Sequence, residues 1–161
     1  MKKIIILCYL ILPFTVVAQT EKYKKAIEII VNSNEYKAYT NNPKGYQVSD
    51  ELIVFSKMGK MFKKQLSENN VELSDYDIVN NDKKKNKIDK GLLDLNKKKC
   101  TKLKIYFTEQ QDGIFFAELI KEKKRNLEYN SRTHFGVSHI YMFKNNQGRI
   151  ELVGKKSINY N

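Results

Sequence analysis

The chain has 161 residues, of which 41% are hydrophobic and 30% charged, and a formal net charge of +12. That is a typical single-domain size with enough chain to bury a core. Its cysteines, Cys8 and Cys100, are two in number, and Cys8 lies in an N-terminal apolar run, which excludes a disulfide framework from the remainder.

Met1-Lys2-Lys3 precedes an apolar run from Ile4 to Val17, and Ala18-Gln19 follows it. A short positive start, an apolar stretch and a small residue at a plausible cut form a secretory signal peptide. Residues 1–18 are therefore expected to leave, and 19–161 to form one exported domain, periplasmic or extracellular. A membrane anchor is the rival reading. A spanning helix needs about 20 consecutive apolar residues, and this run is shorter and interrupted by Pro13. No later segment is apolar enough to span, so the mature chain is expected to have no transmembrane segment. Loss of Lys2 and Lys3 leaves it at about +10.

Residues 20–36 predict an amphipathic helix, with Tyr23, Ala26, Ile27, Ile30 and Val31 on one stripe. Asn41-Asn42-Pro43-Lys44-Gly45 breaks the chain. A second helix is predicted within 49–67 from the stripe Leu52, Phe55, Met58, Phe62 and Leu66. The competing reading is a short strand over Leu52–Phe55 with a helix only after it.

Residues 71–100 predict short turns or a short helix beside a lysine-rich stretch. Between Lys83 and Lys104 ten lysines (Lys83, Lys84, Lys85, Lys87, Lys90, Lys97, Lys98, Lys99, Lys102, Lys104) face only Asp89 and Asp94. Nearly all the excess charge is local. An anionic partner such as lipid head groups, an acidic polysaccharide or an acidic protein would suit it. A solvated face is the simpler reading, because only three arginines occur and bidentate phosphate recognition favours arginine. An exported address also argues against nucleic acid. Cys100 reads as a partly buried residue beside a strand.

The C-terminal third alternates clearly. Leu103, Ile105 and Phe107 share one face of a strand over 102–109, and Gln110-Gln111-Asp112-Gly113 turns it into a second over 114–121. A polar connection leads to a third strand over 137–144. Asn145-Asn146-Gln147-Gly148 turns again into a fourth over 149–154. Helices first and a meander after predict an α+β fold, with N-terminal helices packed on one face of a four-stranded antiparallel sheet. This element order resembles cystatin-like or NTF2-like folds. The resemblance implies that a sheet curved around a helix holds a pocket.

Chemistry-bearing residues are few. His134 and His139 are five apart and on a regular strand would point to opposite faces, so no metal site is expected. His139 alternates with Val137, Tyr141 and Phe143 on a half-buried face and reads first as a structural histidine. Glu118 is the most unusual acid, set within the apolar strand 114–120. Alternation against Phe115, Ala117 and Leu119 favours a solvent-facing position; a concave interior would instead make it a candidate acid–base group. Glu118, His139 and Tyr141 are thus the candidate pocket residues. No catalytic motif or phosphate-cradling glycine loop appears, and no cofactor is expected.

Three functions follow in order. The first is an exported, non-enzymatic domain binding a protein or small-molecule partner in the bacterial cell envelope. The second is a binder of anionic surfaces through Lys83, Lys84, Lys85, Lys87, Lys97, Lys98, Lys99 and Lys102. The third is a small enzyme using Glu118 and His139.

Overall fold

A computed structural model describes residues 20–39, 45–74, 85–97, 102–121, 129 and 136–160. The signal segment, Lys83, Lys84, Lys98, Lys99, Cys100 and His134 lie outside the described residues.

The fold is α+β, with helices first and an antiparallel C-terminal sheet. Residues 20–32 form helix α1, and Asn34–Tyr39 forms α2. Ser33 separates them, and its Oγ accepts the Tyr36 N–H, which caps the start of α2. Strand β1, Gln47–Ile53, comes next. Helix α3, Phe55–Gly59, then leads through a 3-10 turn, Lys60–Phe62, into α4, Lys63–Glu68. Strand β2, Lys87–Ile88, and a 3-10 segment, Lys90–Leu95, follow. The last four strands are β3, Leu103–Thr108; β4, Ile114–Lys121; β5, Gly136–Asn146; and β6, Arg149–Tyr160.

These strands form one six-stranded sheet in the order β2-β1-β3-β4-β5-β6. Strands β3 to β6 run as an antiparallel meander, and β1 pairs with β3 in parallel. The sheet is therefore mixed and wider than the four-stranded meander the sequence predicts. Both C-terminal hairpins turn through positive φ, at Asp112-Gly113 and Gln147-Gly148. Each thereby matches the right-handed twist of its flanking strands.

Helices cover both faces rather than one. On the first face, Tyr23, Ala26, Ile27 and Ile30 of α1 pack with Ile105, Phe107, Phe115, Leu119, Tyr141 and Phe143. Tyr23 lies edge-on to Phe115 at 5.4 Å and donates its hydroxyl to the Thr108 carbonyl at 3.0 Å. On the second face, Phe55, Met58, Phe62 and Leu66 pack with Tyr106, Phe116, Ile120, Ile140 and Met142. Strand β4 between these layers is buried from Ile114 to Ile120.

The predicted helix over 49–67 is corrected to strand, then helix. Leu52 and Ile53 lie on β1 and belong to opposite cores, while Phe55, Met58, Phe62 and Leu66 keep a helical stripe. The β-branched Val48, Ile53 and Val54 suit an extended chain. Pairing with β3 secures it at the start of the segment.

Candidate functional site

An open groove of about 990 Å³ lies between α1 and β6. It exists because α1 turns Tyr23, Ala26, Ile27 and Ile30 into the sheet and leaves Lys25, Glu28, Ile29 and Asn32 on its flank. β6 is the facing wall, contributing Arg149, Ile150 and Leu152. Lys25 Nζ donates to the Gly148 carbonyl at 2.8 Å and ties the helix to the β5–β6 hairpin at one end.

The other end is polar. Glu35 Oε1 meets Lys155 Nζ at 2.5 Å, and this contact holds the Glu35 carboxyl below the usual carboxylate range. Glu35 Oε2 is buried and has no hydrogen-bond partner among the described residues. Ser33 Oγ and the Tyr141 hydroxyl lie 3.0 Å apart. Burial pushes the Tyr141 phenol up to about 12, against the Ser33 hydrogen bond, which pulls it down.

The Tyr141 shift carries a pH prediction. Its folded pKa exceeds the unfolded value near 10, so its contribution is complete below about pH 10 and is lost as pH rises through about 12. Tyr141→Phe is expected to flatten the fall in urea midpoint across that window. An unchanged alkaline slope would contradict the burial assigned to this phenol.

Strand register decides which candidate residues meet. His139, Tyr141 and Phe143 share the α1 face. His139 pairs across the strands with Ser157, its Nδ1 lying 2.8 Å from Ser157 Oγ, and the Tyr39 ring sits 5.2 Å away. Burial pushes the His139 imidazole down. Glu118 stands opposite Ile140, and His139 opposite Leu119. Glu118 and His139 therefore point to opposite faces, and the structure does not bring them together.

The expectation of a solvent-facing Glu118 is corrected. Its side chain does alternate against Phe115, Ala117 and Leu119, but α3 and α4 cover the second face and Glu118 is 0% exposed. Its carboxyl oxygens accept hydroxyls from Tyr129 at 2.9 Å and Tyr160 at 3.1 Å. Buried polar groups need such partners. The cluster fastens Tyr129 and the end of β6 to the central strand.

The described part of the lysine segment lies towards the opposite edge of the sheet from β6. Lys85, Lys87, Lys97 and Lys102 are exposed. Lys87 on β2 pairs with Glu109 at 2.5 Å. Lys85 and Lys87 border a smaller recess of about 350 Å³. The described residues contain no group of His, Cys, Asp and Glu side chains able to hold a metal, and no described helix is long and apolar enough to cross a membrane.

Reading the sequence missed Ser33, Glu35, Arg149 and Lys155 as groove residues. Glu35 and Lys155 stand 120 positions apart, so no local period links them. Comparison of the chain with protein-family models, curated proteins and solved structures finds no match.

Proposed function

We propose that residues 19–161 form an exported, non-enzymatic domain that holds a protein or small-molecule partner of the bacterial cell envelope in the groove between α1 and β6. The observation that carries this reading is the groove itself: about 990 Å³, open, with apolar walls at Ile29, Ile150 and Leu152 and charged ends. A concave site with an apolar wall and a few convergent polar groups is the usual form of a binding site. Export rests on the three-part pattern of residues 1–18. Separation of Glu118 from His139 by the thickness of the sheet supports binding over acid–base catalysis.

A photo-activatable residue tests the site. Leu152 in the groove is 41% exposed, and Leu93 on the 3-10 segment is 45% exposed, so both positions tolerate replacement. Cross-linking in intact cells is expected to yield a defined adduct from position 152 and none from position 93. Equal yields, or none from 152, would contradict the assignment.

A further inference from the structure

We propose that the β2 edge of the sheet docks on a bilayer surface rich in anionic lipid. This surface is separate from the groove, and its failure would leave the groove reading untouched. Segment 85–97 lies along the outer side of β1. Lys87 and Ile88 pair with Leu52 and Glu51, the Asp89 N–H donates to the Asp50 carbonyl, and Asn96 Oδ1 accepts the Val48 N–H. One stretch of sequence is thereby spread along one edge, and Lys85, Lys87, Lys90 and Lys97 are exposed on it.

The positive charge here is not cancelled. Between Lys83 and Lys104 ten lysines stand against Asp89 and Asp94. The Asp89 carboxylate accepts the Gly91 N–H at 3.0 Å, and Glu109 is matched by Lys87. Glu51 accepts from the Tyr129 N–H and the Asn86 amide. Lys85, Lys90 and Lys97 have no carboxylate partner among the described residues. The opposite edge differs, for there Arg149 meets Glu151 and Lys155 meets Glu35. Five strand spacings, roughly 24 Å, separate the two edges, against a screening length of about 8 Å at physiological salt. The positive field is therefore local to the β2 edge, and a negatively charged plane draws that edge towards itself.

An exposed apolar side chain selects lipid among anions. Ile88 is 59% exposed, more than any other large hydrophobic among the described residues, and Lys85, Lys87 and Lys90 flank it. Lys85 and Lys87 also border the recess of about 350 Å³, whose walls include Leu52, Val54, Phe55 and Leu73. Peripheral membrane binding combines buried apolar area with attraction to anionic head groups. Lysine serves that attraction as well as arginine does, because it acts through the field near the bilayer and needs no bidentate fork. A polysaccharide or nucleic acid would leave Ile88 in water. No aromatic side chain occurs between Lys83 and Lys104 to stack on sugars or bases.

Cosedimentation of the signal-cleaved protein with lipid vesicles tests this. Vesicles of equal parts phosphatidylglycerol and phosphatidylcholine are expected to carry it down, and vesicles of phosphatidylcholine alone to leave it in solution. Salt at about 1 M, which cuts the screening length to about 3 Å, is expected to release it. A lysine near an anionic bilayer is worth about fivefold in binding, so Lys85→Gln with Lys90→Gln is expected to weaken binding about twenty-fivefold. Ile88→Asn, at an exposed position that tolerates replacement, is expected to weaken it about fivefold through lost apolar contact. Lys60→Gln with Lys63→Gln is the control, at exposed positions beside the Met61 carbonyl that accepts Lys156 of β6, and is expected to leave binding unchanged. Equal binding to both kinds of vesicle, or equal losses from the two lysine pairs, overturns membrane docking. Full binding by Ile88→Asn, with Lys85 and Lys90 still required, assigns the edge to a soluble polyanion and overturns it as well.

Discussion

Phe116→Ala is expected to destabilise the protein by about 3–5 kcal/mol, the range for removing a large aromatic ring from a core. Phe116 is fully buried on β4, the strand enclosed on both faces. Its ring sits 5.0 Å from Phe55 and 5.3 Å from Phe62, so it carries both α3 and the 3-10 turn. A side chain on Gly59 would lie 3.5 Å from the same ring, which shows how closely the helix approaches the sheet. The gap left by alanine opens under rigid backbone from two sides and cannot close easily. Urea unfolding measures the loss. Amide exchange should show α3 and α4 loosening before α1, which rests on the other face. A loss under about 1 kcal/mol would contradict the second-face packing.

Glu118→Ala is expected to cost about 2–4 kcal/mol, from two hydrogen bonds at roughly 0.5–1.5 kcal/mol each and the cavity of a deleted side chain. Tyr160→Phe alone should cost about 1 kcal/mol. The double variant should cost less than the two losses added, because both changes break the same contact between β4 and the end of β6. Glu118→Gln, which keeps an acceptor and nearly the same volume, should be milder than alanine. A strictly additive double variant would show that Tyr160 and Glu118 do not act together.

The burial of Glu118 marks where the sequence was readable and where it was not. β3 and the two hairpin turns show plainly, because Leu103, Ile105 and Phe107 alternate and Asp112-Gly113 and Gln147-Gly148 supply positive φ. β4 carries apolar residues at both parities: Ile114, Phe116 and Ile120 on one side, Phe115, Ala117 and Leu119 on the other. That pattern belongs to a strand covered on both faces, and it was the available signal that Glu118 would be enclosed.

β1 was obscured for a different reason. Its partner β3 lies about fifty residues on and runs parallel to it, so its pairing leaves no turn signal between them. Leu52 also falls in step with the helical stripe of Phe55, Met58 and Phe62, although it packs on the opposite face. β2 has two exposed residues and no apolar pattern to read. The groove combines these difficulties. Its walls come from the first helix and the last strand, and its polar end depends on contacts such as Glu35–Lys155 and Ser33–Tyr141. Such contacts are set by how the helix crosses the sheet, not by any local period.

The most direct test of the central claim is an intact native mass spectrum of protein expressed with its own N-terminus and recovered from the cell envelope, beside the Leu152→Asp variant. The account predicts a mature mass beginning at Gln19 with a bound species, and the mature mass alone for the variant. An uncleaved mass, or a bound species retained equally by the variant, would contradict an exported domain that binds through the α1–β6 groove.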